Sequence, residues 1–327
     1  MATADQVKAL VKSHGEGDSA RFYSVALQVA AKAARSGQPH FAQELKALVD
    51  TLREQEGSTS KQPVSRLTPV AQPRGELASL LTVTYPSHQM SEMVLEGSVQ
   101  DKLDQVLLEQ RQRDRLREHG FHPVRRLLLV GAPGTGKTMT ASVLASELRL
   151  PLFSIRLEGL ITKFMGETAA KLRLVFDALS ETRGLYFFDE VDALAGERSS
   201  SNDVGEVRRV LNSFLQFLEQ DESESLIIAA TNHPRLLDRA IFRRFDTLVN
   251  YPLPSPNVAR KVIRNRLAGF DLAAIDWQEL DSAISGLSHG EITVAAETTA
   301  KKCILSGGSI KTRDLAMALE ERHSLSA

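Results

Sequence analysis

The sequence holds a single cysteine, Cys303, among 327 residues. An intrachain disulfide is therefore excluded, and one thiol in a chain this long suits a reducing compartment. An excess of either charge is also missing, since 40 Lys and Arg stand against 41 Asp and Glu for a formal net charge of −1. That balance gives no electrostatic footprint for non-specific nucleic-acid binding, which needs a basic excess on some face. No stretch approaches the ~20 apolar residues that span a bilayer. The opening MATADQVKALVKSHGEG has no apolar core of signal-peptide length. These absences lead us to expect a cytoplasmic protein without membrane contact. No H-E-x-x-H occurs, and His119-Gly120-Phe121-His122 lacks the glutamate, so a zinc protease of that kind is not encoded. No internal repeat is visible.

What is present is an ordinary composition, 42% hydrophobic and 25% charged, in a length that suits two compact domains and a small appendage. Residues 1–54 read as a helical unit for recognition or docking. Leu45, Leu48, Val49 and Leu52 recur at helical spacing, and the unit is too small to bury a generous core alone. Residues 55–76, rich in Ser, Pro, Gln and Gly, read as a flexible linker. A charged helix is expected over 98–118. Its Arg111, Arg113, Arg115 and Arg117 scatter around the helix and are interleaved with acids, so a solvated face is favoured over a nucleic-acid patch.

Five short apolar runs follow, RRLLLV (125–130), LFSIRL (152–157), LYFFD (185–189), LIIAAT (226–231) and TLVNY (247–251). Continuous hydrophobicity marks strands buried on both faces of a parallel sheet. After Pro252-Leu253-Pro254 the pattern is helical to the end. We therefore expect an α/β domain over 77–252 with a five-stranded parallel sheet, and a helical domain over 253–327.

GAPGTGKT at 131–138 fits G-x-x-x-x-G-K-[ST] between a strand and a helix opening at Met139. In such a loop successive backbone N–H groups converge on phosphate oxygens, and the helix adds its positive end. The candidate nucleotide-binding residues are Gly131, Ala132, Pro133, Gly134, Thr135, Gly136, Lys137, Thr138 and Met139. Lys137 is expected to reach the β- and γ-phosphates, and Thr138 to coordinate Mg²⁺. LYFFDE carries Asp189 out at a strand end, where ligands of open α/β sheets bind. Asp189 is the second candidate Mg²⁺ residue, and Glu190 the candidate base for the attacking water. Asn232, at the tip of the next strand, is placed to orient that water. The implied cofactors are ATP and Mg²⁺.

These motifs together resemble the AAA ATPase family from about Gln89 to the end of the chain. GAPGTGKT and FFDEVDAL look like its Walker A and Walker B, and ATNHPRLLDRAIFRRFD (230–246) like its second region of homology. The resemblance makes Asn232 sensor 1, and Arg243 and Arg244 arginine fingers that reach a neighbouring subunit's γ-phosphate. It implies a P-loop NTPase core with a C-terminal helical lid, assembled as a homo-oligomer, a hexamer. KFMGET (163–168) resembles the first pore loop, with Phe164 and Met165 gripping an extended polypeptide; a Phe164 tucked into the core is the other reading. Residues 196–205 look like a second pore loop. GLSHGEI (286–292) resembles the lid motif that contacts adenine and ribose, which adds Gly290 to the nucleotide set. His289 there reads as structural. The expected function is ATP-driven remodelling, unfolding or disassembly of protein substrates, with a nucleic-acid motor or loader as the alternative. The resemblance extends to bacterial ATPases that accompany a separate subtilisin-like serine protease in defence modules.

Overall fold

The computed structural model describes residues 73, 75–160, 165–195 and 204–326. The expected N-terminal unit, nearly all of the linker, and Phe164 lie outside these residues.

The strands are β1 (Leu81–Thr84), β2 (Arg126–Gly131), β3 (Leu152–Ile155), β4 (Leu185–Phe188), β5 (Leu226–Thr231) and β6 (Thr247–Tyr251). They form one sheet in the order β1-β3-β4-β5-β2-β6. β2 to β6 are mutually parallel, as the five apolar runs lead one to expect. The sixth strand corrects that count. β1 pairs antiparallel with β3, Leu81 opposite Ile155 and Thr84 opposite Leu152. Its four residues LTVT are only half buried, so they lack the long apolar run that marks the central strands.

The longer helices are α1 (Gly97–Arg111), α2 (Lys137–Glu147), α3 (Met165–Glu181), α4 (Val204–Gln220), α5 (Pro256–Arg266), α6 (Trp277–Ile284), α7 (His289–Ser306) and α8 (Thr312–Ser326). The helix expected over 98–118 is two pieces, because Gln112 leaves helical geometry (φ −105°, ψ 23°) before a short helix Arg113–Glu118. α3 already runs from Met165, within the stretch read as the first pore loop. α4 likewise takes in Val204 and Gly205 from the expected second pore loop.

Strand alternation divides the core between two faces. Leu127, Leu129, Phe187, Ile228 and Val249 pack with Leu103 and Val106 of α1 and Leu144 of α2. Leu128, Tyr186, Phe188 and Ile227 face the other way, against Leu172 and Phe176 of α3 and Phe214 and Leu218 of α4. Phe188 meets Phe214 edge-on at 5.2 Å between centroids, a favoured aromatic geometry. The result is a sheet covered on both faces, which places the strand ends at its rim. α5 to α8 gather a separate core around Ile263, Leu280, Ile292, Leu315 and Leu319. Ser255, Asp276 and Ser288 cap α5, α6 and α7, each accepting from a first-turn N–H.

At the strand-start end of the sheet, buried Asp221 pairs with Arg125 at 3.3 Å and accepts from the Ser223 N–H. The Asp221 backbone carbonyl accepts from Arg126 at 2.9 Å. Of the arginine run, Arg111 pairs with Glu147, and Arg113 and Arg117 share Glu224. Among the described residues no helix is long and apolar enough to cross a membrane.

Candidate nucleotide site

β2 ends at Gly131, and the chain turns through Gly134 (φ +74°) and Gly136 (φ +102°) before α2. Both torsions lie where L side chains are strained. α2 starts at Lys137, two residues earlier than expected, so Lys137 and Thr138 belong to its first turn. Space as well as torsion demands glycine at 134. A Cβ there would sit 2.6 Å from the Ser288 hydroxyl at the start of α7. The Gly290 N–H donates to the Gly134 carbonyl at 2.8 Å, which ties the phosphate loop directly to the C-terminal helices.

Lys137 is 6% exposed, and its ammonium donates to the carbonyls of Gly131 and Ala132 at 2.8 Å each. Burial pushes its pKa down, while Asp189, Asp192 and Glu190 pull it back up. The Thr138 hydroxyl donates to Asp189 Oδ2 at 3.0 Å across the β2–β4 gap. A hydroxyl and a carboxylate already this close make a hard-oxygen pair of the kind Mg²⁺ takes, so the residues present fit the expected metal. Asp189 Oδ1 accepts from the Glu190 N–H at 3.0 Å. Glu190 itself is left-handed (φ +52°).

Pro133, Gly134, Gly136, Lys137, Thr138, Met139, Asp189, Glu190 and Asn232 all line one cavity of about 340 Å³. The tips of β2, β4 and β5 thus converge as the sequence reading expects. Two residues it did not single out hold that arrangement. Thr231, fully buried at the end of β5, donates to Asp192 Oδ1 at 2.7 Å and accepts from the His233 N–H at 3.0 Å. This brackets Asn232 between fixed points. Asp192 lies within the FFDEVDAL stretch, but its partner is on another strand.

A second cavity, about 540 Å³, adjoins the first at Gly136 and Met139. Met93, Val94 and Leu95 form one wall, Val262 of α5 another, and His289, Thr293 and Glu297 of α7 a third. The last three are spaced four apart, one face of a helix. That polar stripe on an alanine-rich helix is the signal that sequence reading passed over. Gly290 lies beside Gly134 and does not line the second cavity.

Arg243 and Arg244 line neither cavity. Both are exposed, and Arg244 pairs with Glu219 of α4. The structure therefore does not bring them to their own chain's site.

Fold and site define a P-loop nucleotide-binding protein with a parallel α/β core and C-terminal helices. Comparison with known proteins gives the particular family. The model of the "ATPase family associated with various cellular activities (AAA)" matches residues 127–253. An uncharacterized AAA family ATPase, y4kL, of Sinorhizobium fredii is 30% identical over 322 residues, covering 98% of this chain and 96% of that protein. The chain belongs to the AAA ATPase family. It is also 34% identical over 206 residues to a proteasome-activating nucleotidase of Methanothermobacter thermautotrophicus, which covers 61% of this chain and 50% of the relative. Vacuolar protein sorting-associated protein 4B of Mus musculus is 35% identical over 179 residues, covering 53% and 40%. The chain thus spans half or less of these two relatives. Among solved structures, the FIGL-1 AAA domain superposes with a TM-score of 0.58 at 23% identity, covering 73% of this chain and 85% of that one; this likeness concerns the fold.

Proposed function

We propose that this ATPase is a homo-oligomeric motor, a hexameric ring, that uses ATP hydrolysis to remodel protein substrates. The observation that carries the chemistry is the convergence of Lys137, Thr138, Asp189, Glu190 and Asn232 on one cavity. In this reading the loop 131–138 binds the phosphates through its N–H groups, and Lys137 leaves its carbonyl partners for the β- and γ-phosphates. Thr138 and Asp189 hold Mg²⁺, which when bound neutralises charge on the phosphates. Glu190 takes the proton of the attacking water, and Asn232 orients that water. Arg243 and Arg244 act on the neighbour's site, a role supported by their exposure and their absence from both cavities of their own chain.

The adjoining cavity takes the base, residues 77–252 form the nucleotide-binding domain, and 253–327 form the lid. Residues 1–54 supply recognition and 55–76 the tether. Protein as the substrate class is supported by the relatives, one of which activates a proteasome by its name, and by Phe164 and Met165 as grip residues. Pairing with a separate serine protease finds no support in the structure or in the relatives above, and forms no part of the proposal.

The test is ATP turnover with and without an unfolded protein such as casein, alongside single- and double-stranded DNA. Casein is expected to stimulate turnover several-fold, and Phe164→Ala to remove the stimulation with basal turnover kept. Stimulation by DNA alone would replace this reading with the nucleic-acid motor.

A further inference from the structure

The second cavity is lined by a histidine, His289, whose hydrogen-bonding capacity is not met by the protein. Both ring nitrogens of His289 are shielded from solvent, and neither meets a partner at hydrogen-bonding geometry. The backbone of Val94 and, more weakly, the carboxylate of Glu96 favour a protonated ring, but burial outweighs both and holds its pKa below the usual histidine value. Glu96 is itself engaged, accepting from the Ser255 N–H at 2.8 Å. Thr293, one turn along α7, already donates to the His289 carbonyl at 2.8 Å.

At neutral pH the imidazole therefore carries one N–H and one lone pair. A backbone group that favours protonation is an acceptor, so the Val94 side draws the N–H. The lone pair on the other nitrogen is the unsatisfied end. Leaving a buried acceptor unpaired is costly, and a ligand that brings a donor relieves it. The purines differ at this point. Adenine carries an exocyclic amine, a donor, where guanine carries a carbonyl oxygen, an acceptor.

We infer that His289 is a specificity-determining residue whose lone-pair nitrogen accepts the exocyclic amine of adenine, selecting ATP over GTP. The inference rests on the proposed reading of this cavity as the base site. It departs from the expectation that His289 is structural. Its position explains the choice of residue, since the first turn of α7 is held against the phosphate loop through Gly290 and Gly134. A side chain at 289 is thereby fixed relative to the phosphates.

The test is calorimetric binding of ADP, GDP and purine riboside diphosphate, which lacks the amine, to the full chain. Diphosphates avoid turnover. The unsubstituted protein is expected to bind ADP about tenfold more tightly than either analogue, the worth of one buried hydrogen bond. His289→Phe keeps a ring without the lone pair, and His289→Ala removes the ring. Each is expected to bind all three ligands within about threefold of one another. His289→Gln, which restores an acceptor, regains part of the preference. Equal binding of ADP and purine riboside diphosphate to the unsubstituted protein overturns the inference and leaves the nucleotide site standing. So does an ADP preference retained in whichever of the Phe and Ala variants folds. An unsubstituted protein that binds none of the three overturns the proposed function as well.

Discussion

Glu190 holds a backbone conformation that few residues other than glycine adopt, and it does so at the tip of the strand that carries Asp189. Left-handed backbone at a non-glycine residue is costly and persists where its surroundings over-determine it. Here Asp189 Oδ1 holds the Glu190 N–H, and the Glu190 carbonyl accepts from the Ala193 N–H at 2.8 Å. On the proposed assignment Glu190→Gln keeps this geometry and removes the base. Its turnover is expected to fall by about 10²–10⁴ with ATP affinity kept. Lys137→Ala is expected instead to lose ATP binding, because the side chain proposed to reach the β- and γ-phosphates is gone. Phosphate release and fluorescence titration separate the two; appreciable turnover in Glu190→Gln would remove it from the base role. Thr231→Val tests the bracket around Asn232. The swap keeps the shape but strands Asp192 and the His233 N–H, with an expected loss of about 1–3 kcal/mol in unfolding free energy. Turnover is expected to fall about ten- to a hundredfold as Asn232 shifts. A variant with both melting temperature and turnover unchanged would show that Asn232 is held by other means.

At the scale of elements, legibility followed locality. β2 to β5 announced themselves because strands buried on both faces are written as unbroken apolar runs, whereas β6, the other edge, buries only Val249 and Tyr251 and was read from its short apolar stretch. β1 did not, since an edge strand of four half-buried residues takes its identity from β3, some seventy positions away. The phosphate loop and the Asp189–Glu190 pair were legible for the same reason, each being contiguous in the chain. The Thr231–Asp192 bond and the walls of the second cavity were not, because they join segments that meet only after folding. The break at Gln112 left no Gly or Pro to read. Packing at this scale is open to a direct check. Phe214 of α4 is fully buried against Phe188 of β4 and Phe176 of α3. Phe214→Ala is expected to cost about 3–5 kcal/mol, a fall of roughly 6–20 °C in Tm. A loss under about 1 kcal/mol would mean that α4 is not fixed to the sheet as described.

For the whole molecule, the decisive question is whether one chain suffices. Its own cavity gathers the loop 131–138 with Asp189, Glu190 and Asn232, yet Arg243 and Arg244 stand outside both cavities. If they complete a neighbour's site, Arg243→Ala or Arg244→Ala is expected to bind ATP normally and lose turnover by about 10³-fold or more. Specific activity of the unsubstituted protein is then expected to climb with concentration as rings form. Flat activity per protomer, with sedimentation showing monomers only, would refute the shared site. The contact between Gly134 and the start of α7 has a consequence for inheritance. A side chain gained at 134 collides with Ser288 at 2.6 Å and lies 3.7 Å from the Gly290 Cα. Position 290 has nothing left to give up, since no amino acid is smaller than glycine. A search for second-site suppressors of the steric part of Gly134→Ala, the strain at φ +74° remaining, is thus steered to codon 288, where losing the hydroxyl forfeits the cap of α7 at about 1 kcal/mol. Two stretches of the gene more than 150 codons apart are in this way bound to a common fate, and drift in one is policed by the other.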